Sequence, residues 1–292
     1  MPGFELIGEE ERREVLQVLD SGVLMRYGFD AARKGQWKSR ELEQALTKRL
    51  NTRHTHVCSS GTAALSTALA ACGIGAGDEV ILPPFTFVAD LETVLFAGAV
   101  PVFAEIDQTL CLDPRSVATA ITSKTKGVLV VHMCGAMARI DALVEVCRRH
   151  RLTLIEDAAQ AAGATFQGRA LGTFGRVGCL SFDYVKTITC GEGGALLTDD
   201  DDIYRLAQAF TDHGHDHVGT DRGADGHPHI GLNFRLSELH AAVGVAQLAR
   251  LDHILEVQRR HKAALKEGLA GIRRLEFRSL PDPAGDSATF LS

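Results

Sequence analysis

The chain has 292 residues, 45% hydrophobic and 23% charged, enough to bury one large core, or one large core and part of another. Acidic residues outnumber basic ones, 37 to 31, giving a formal charge of −6, and no long basic block offers itself to a phosphodiester backbone or an anionic lipid surface, which argues against nucleic acid as a partner. The opening MPGFELIGEEERREVL lacks the basic and then apolar profile of a signal peptide, and no apolar run approaches the length of a bilayer, so a soluble, cytoplasmic protein is expected.

Along the chain, short β-type runs alternate with longer helical ones, which predicts an α/β fold with a mainly parallel sheet covered on both faces. Leu16 and Leu19 punctuate a polar opening helix, and residues 39–50 (SRELEQALTKRL) form a second amphipathic one. A short strand around His56 to Cys58 runs into the Ala- and Leu-rich helix of SSGTAALSTALAACG, and a turn at Gly77 and Asp78 leads into the strand EVILP. Further strands are predicted at VPVFAEID, KGVLVVHM, LTLIED, GCLSFD and GALLTDD, with helices between them such as ARIDALVEVCRRH. Only a short Gly-bearing segment separates GCLSFD from GALLTDD, so these two are expected to pair antiparallel or irregularly. A long helical pattern runs from Leu236 to about Leu251, and the tail RRLEFRSLPDPAGDSATFLS is expected to begin a strand and then a Pro/Gly loop. The seven cysteines (58, 72, 111, 134, 147, 179 and 190) contain no Cys-x-x-Cys pair and read as reduced thiols, mostly small core residues.

In an open parallel sheet, ligands bind where strand ends meet helix starts. SSGTAAL has that form: Gly61 and Thr62 could offer N–H groups to a phosphate, or the turn could be a plain connection. In LIEDAAQ an acidic pair closes an apolar strand, so Asp157 needs a partner. A protonated ring nitrogen and a helix-capping role are both open for it. In SFDYVKTITCGEGGALLTDD, Lys186 follows an apolar strand among Ser181, Thr187, Thr189 and nearby glycines. A lysine desolvated there becomes a nucleophile toward an aldehyde. The GEGG at 191–194 lacks the spacing of a dinucleotide fingerprint.

The ordered motifs SSGTAAL, GDEVILPPFTFVAD, GAVPVFAEID, LIEDAAQAAGATFQGRALGTFG, SFDYVKTITCGEGGALLTDD and GLNFRLSELHAAVGVAQLARLD, spread over residues 5 to 255, resemble the DegT/DnrJ/EryC1/StrS family of sugar aminotransferases. The resemblance implies the aspartate-aminotransferase-like fold (PLP fold type I), a mainly parallel seven-stranded sheet between helices. It implies pyridoxal 5'-phosphate as cofactor, with Lys186 as its Schiff-base lysine and proton shuttle and Asp157 as the carboxylate that keeps the pyridine nitrogen protonated. Gln160 would lie beside the ring hydroxyl, Phe87 would stack on the ring, and Gly61, Thr62 and Ser181 would cradle the phosphate. Asn233 would reach the phosphate of a neighbouring subunit, which implies a homodimer with shared active sites. Related dehydratases carry histidine where Lys186 stands. Family members continue beyond this length, so residues 1–255 are expected to be a large cofactor-binding domain and 256–292 the start of an incomplete small one. A cofactor-binding partner protein without turnover is the alternative.

The opening segment, VHMCGAMARID and the histidine-rich DHGHDHVGTDRGADGHPHIG are similar to 8-amino-3,8-dideoxy-manno-octulosonate aminotransferases. That implies glutamate as donor and the C8 aldehyde of an oxidised octulosonate, a lipopolysaccharide sugar, as acceptor, with a nucleotide-linked keto-hexose as the alternative. Arg26 and Arg235 are candidates to meet the acceptor's carboxylate, or ordinary structural ion pairs. His213, His215, His217, His227 and His229 are expected to line the substrate entrance or a dimer contact rather than to bind a metal, because the segment lacks a tetrahedral set with carboxylate or thiolate ligands.

Overall fold

The computed structural model describes residues 2–218 and 222–292; Met1 and, within the histidine-rich loop, Gly219, Thr220 and Asp221 lie outside that description. In chain order the elements are α1 (Glu9–Ser21), α2 (Lys38–Leu50), β1 (His54–Cys58), α3 (Gly61–Ala71), β2 (Glu79–Leu82), α4 (Val88–Phe96), β3 (Val100–Phe103), α5 (Pro114–Ala120) and β4 (Thr125–Val131). They continue with α6 (Ile140–His150), β5 (Thr153–Asp157), the small pair β6 (Thr165–Phe166) and β7 (Arg169–Ala170), β8 (Val177–Ser181), β9 (Gly194–Thr198), α7 (Asp201–Thr211), α8 (Glu238–Ala249) and α9 (Leu251–Leu269).

The main sheet has seven strands in the order β1-β9-β8-β5-β4-β2-β3. From β8 to β3 every pairing is parallel; β9 runs antiparallel to both of its neighbours. The β8–β9 pair is therefore antiparallel, as the short Gly-bearing connection predicts. Alternation along the strands sends side chains to opposite faces. In β4, Val128 and Val130 join the core beneath α2, α5, α6, α8 and α9, while Leu129 and Val131 join the core beneath α3, α4 and α7. Apart from the edge strand β3, where Val100 and Phe103 are exposed, both faces are covered, which explains why the strands read as continuous apolar runs.

The opening helix forms, but Leu16 and Leu19 are exposed, and Glu11 and Val18 are its buried residues. Glu11 is held inside by the Gln247 amide at 2.9 Å and by Arg250. Helix α2 has no cap from its own neighbourhood; the buried Glu238 at the start of α8 accepts from the backbone N–H groups of Lys38 (2.6 Å) and Ser39 (3.4 Å). The helical pattern around Leu236 to Leu251 resolves into α8 and α9, with Arg250 between them. All seven cysteines are free, and burial pushes Cys72 and Cys147 up to about 12.

The strand expected in the tail does not form. After α9, residues 270–292 run back over the body in irregular backbone whose polar groups are met one by one. The Ser279 N–H donates to Gln108 O at 2.9 Å, Arg278 donates to Met133 O at 2.5 Å, and Ser287 Oγ donates to Gly135 O at 2.7 Å. Residue 255 lies inside the continuous helix α9. No described helix is long and apolar enough to cross a membrane.

At Gly194, the first residue of β9, an added Cβ would stand 2.3 Å from Ser60 O and 2.7 Å from Gly61 N. Gly268 in α9 faces open space. Gly194→Ala is therefore expected to destabilise by about 1–3 kcal/mol through overpacking, and Gly268→Ala to be neutral or to stabilise by up to about 1 kcal/mol. Denaturant midpoints measure both, and equal shifts would contradict the packing described.

Candidate active site

The carboxyl ends of β1, β2, β4, β5 and β8 come out at one edge of the sheet, and the chain delivers a different group from each. After β1, Ser60 caps α3 by accepting the Ala63 N–H at 3.0 Å, which leaves Gly61 and Thr62 as its first residues. Gly61 stands against β8: a Cβ there would lie 2.8 Å from Ser181 Cβ and 3.1 Å from Ser181 Oγ. The lack of a side chain lets the helix start, with its free N–H groups and positive dipole end, sit directly beside a hydroxyl. That combination suits a phosphate dianion.

The acidic pair ending β5 splits between the two faces. Glu156 is fully buried and accepts from Gly172 N at 2.9 Å, Gly175 N at 2.5 Å and His132 Nε2 at 2.9 Å. It is a structural hub, tying the turn before β8 to the end of β4. Asp157, 6% exposed, projects to the opposite face and accepts from Ala159 N at 2.7 Å. Burial raises its pKa, opposed by the Ala159 N–H, by Asp90, and by the charges of Lys186 and His132.

Lys186 follows β8 in a braced loop. Its N–H donates to Asp183 O at 3.0 Å, and its carbonyl accepts the Gly3 N–H at 3.1 Å, while Phe4 stacks on Tyr184 at 4.8 Å. The half-buried Lys186 side chain places Nζ 6.0 Å from the centre of the Phe87 ring. Phe87, just before α4, is 59% exposed, so one aromatic face opens on the cleft. Gln160 lies alongside: its Oε1 accepts from Cys134 N at 2.8 Å, which leaves its amide NH2 group for other partners. The tail closes this side, with Thr289 Oγ1 3.3 Å from Thr187 Oγ1 and 3.4 Å from Gln160 O.

Gly61, Thr62, Phe87, Asp157, Gln160, Ser181 and Lys186 thus lie at one edge of the sheet. Asn233 is placed differently: it is exposed and bridges Asp212 through its backbone. Arg26 and Arg235 are engaged elsewhere, Arg26 in a buried ion pair with Glu43 at 2.6 Å and Arg235 with Asp212 at 2.6 Å. Arg26 lines a separate cavity of about 1230 Å³ with Tyr27, Glu43 and Tyr204, away from Lys186. In the histidine-rich loop, His215 and His227 rings lie 4.1 Å apart and His217 packs on Tyr27 at 4.6 Å. No group of three or more metal-ligating side chains is assembled among the described residues.

Sequence reasoning passed over Asp90, His132, Glu156 and the residues of the tail. Asp90, 0% exposed in the first turn of α4, lies against Asp157. Its signal was present in PFTFVAD, as a single acid in an otherwise apolar turn.

The sheet order and the cleft are those of a pyridoxal-phosphate protein of fold type I. The chain belongs to the DegT/DnrJ/EryC1/StrS aminotransferase family, whose family model matches residues 5–291. It is 45% identical over 226 residues to an L-glutamine:2-deoxy-scyllo-inosose aminotransferase from Micromonospora echinospora, covering 75% of this chain and 54% of that protein. It is 39% identical over 221 residues to a GDP-perosamine synthase from Caulobacter vibrioides, covering 75% and 58%. The chain thus spans little more than half the length of these curated relatives. Among solved structures it resembles NtdA from Bacillus subtilis with bound cofactor PMP, at a TM-score of 0.83 and 28% identity over 98% of this chain and 64% of the other. The residues present fit such a cofactor: an amine, a buried carboxylate, an open aromatic face and a helix-start cradle that a Cβ at Gly61 would fill.

The adjacent acids separate in a mutational test. Glu156→Ala leaves three donors unmet, two of them buried, and should cost about 3–5 kcal/mol. Asp157→Asn removes a carboxylate whose ionisation burial opposes, so the apoprotein should unfold at or above the wild-type urea midpoint while losing cofactor. Equal destabilisation by both would contradict this division of roles.

Proposed function

We propose that this protein is a pyridoxal-phosphate-dependent aminotransferase that moves an amino group from an amino-acid donor to the carbonyl carbon of a sugar or a sugar-like polyol. The observation that carries this reading is the Lys186 amine, near enough to the buried Asp157 carboxylate to oppose the rise of its pKa and 6.0 Å from the centre of the Phe87 ring. Family membership and the PMP-bound relative support it. When bound, pyridoxal phosphate supplies an aldehyde that condenses with amines and a ring that accepts the electrons left by a departing proton.

The chain's own residues do the rest. Lys186 Nζ would hold the cofactor and, as a free amine, would serve as the general base for the proton on the donor's α-carbon. Asp157 would keep the ring nitrogen protonated, and Phe87 would stack on the ring. The Gly61 and Thr62 N–H groups and the Ser181 hydroxyl bind the phosphate, and the Gln160 amide meets the ring hydroxyl. Asn233 completes the partner subunit's phosphate site in a cytoplasmic homodimer. Residues 256–269 continue α9, and residues 270–292 return over the cofactor-binding body.

The relatives' names favour a 2-deoxy-scyllo-inosose-like ketone or a GDP-linked sugar as acceptor, with glutamine as donor in the first case. The C8 aldehyde of an oxidised octulosonate, with glutamate as donor and lipopolysaccharide as destination, is the second reading. It rests on the opening and histidine-rich motifs, and the engagement of Arg26 by Glu43 and of Arg235 by Asp212 weakens it.

Protein loaded with pyridoxal phosphate should absorb in the violet, and glutamine or glutamate should discharge that band. Transfer should then follow with one of three acceptors: 2-deoxy-scyllo-inosose, a GDP-linked keto sugar or the oxidised octulosonate. Lys186→Ala should lower transfer by at least about 10²- to 10⁴-fold, the contribution of a positioned general base. A band indifferent to every donor would support a binding protein without turnover, and full turnover in Lys186→Ala would remove the lysine from its role.

A further inference from the structure

Asp90 is a carboxyl group that the reaction above does not use. It is fully buried in α4, where Oδ2 accepts the Thr86 hydroxyl and Oδ1 has no donor in reach. Among the described residues, the Asp157 carboxyl group lies within hydrogen-bonding reach of it. Two ionised carboxylates in contact without water repel strongly, and each can only accept. The contact becomes favourable when one of them carries a proton.

We propose that Asp90 is a positioning residue for Asp157: a single proton lies between the two buried carboxyl groups and belongs to Asp90, so that Asp157 stays an anion aimed at the cofactor's ring nitrogen. The assignment of the proton follows from the surroundings. Asp157 also receives the Ala159 N–H and feels the charge of Lys186, from the loop after β8, while the His132 ring, at the end of β4, is bonded to Glu156. Asp90 has only the Thr86 hydroxyl, and burial together with the Asp157 charge pushes its pKa well above the usual carboxylate range. Among the described residues, the Cys179 thiol on β8 also faces the pair, and burial pushes it up. As a neutral donor, Asp90 supplies the hydrogen bond that its orphaned Oδ1 lacks and lowers the proton affinity of Asp157. The role toward the ring rests on the function proposed above, since a less basic Asp157 would leave the ring nitrogen's own proton on the ring.

Infrared spectra of the apoprotein at neutral pH test the pair without cofactor. The wild type should show the carbonyl stretch of a protonated carboxylic acid, and Asp90→Asn should lose it. Because the folded pKa of Asp90 is raised, the stability from its proton is fully present below about pH 4 and is lost as pH rises through the folded value. Asp90→Asn escapes that loss, so its denaturation midpoint should gain on the wild type from acid to neutral pH. In the loaded protein, Asp90→Asn keeps a donor and should retain cofactor near the wild-type level, whereas Asp90→Leu should weaken retention about 10- to 100-fold, the loss of one hydrogen bond to a charged group. Absence of the acid band in the wild type, its survival in Asp90→Asn, or equal cofactor retention by Asn and Leu variants would overturn the proposal. A wild type that shows the band but takes up no pyridoxal phosphate would contradict the proposed function and leave the shared proton standing.

Discussion

Asp157 ends a buried strand on the side of the sheet where α3 and α4 begin, and it has exchanged nearly all of its water for a few polar neighbours. A carboxylate in such a place is costly unless positive charge or donors face it. The fold is arranged around meeting that demand. The strand order puts β5 between β4 and β8, so His132 from one neighbour meets Glu156 while Lys186, from the loop after the other, lies on the side of Asp157. The residue just before it, Glu156, bonds to backbone on the opposite face and fixes the turn from which β8 starts. One acid holds the scaffold in place and the next presents a charge to the cleft.

Close approach of backbone is the second requirement. Gly61 and Gly194 let the start of α3, the end of β8 and the start of β9 meet with no side chains between them. The helix-start N–H groups consequently lie beside Ser181 rather than behind a layer of side chains. Lys186 is steadied from two distant parts of the chain: Gly3 bonds its carbonyl, and Thr289 reaches the hydroxyl of Thr187 beside it. A site on a rigid strand edge, braced by both ends of the described chain, keeps its geometry before any ligand arrives.

Much of this could be read from the sequence because the responsible signals are local. Strand periodicity, the small residues of SSGTAAL and the acids closing LIED each announce themselves within a few positions, and the ordered motifs tie them together. What escaped was set by distance along the chain. Which of Glu156 and Asp157 faces the cleft depends on the face that β5 turns toward α3, which periodicity alone leaves open. Asp90 reads as an ordinary acid in a helix's first turn, since its approach to Asp157 joins α4 to the end of β5, far along the chain. The capping of α2 by Glu238 joins residues about 200 positions apart. The tail looked strand-like because Leu275 and Phe277 alternate with polar residues, yet its backbone groups pair with scattered partners on the body.

The most direct test of the central claim is to reduce the cofactor-loaded protein with borohydride and to map the modified peptide by mass spectrometry. The facing of Lys186 and Asp157 predicts a pyridoxyl group fixed on Lys186, with yield falling sharply when Asp157 is replaced by Ala. A pyridoxyl group on another lysine, or full yield without the Asp157 carboxylate, would contradict the account.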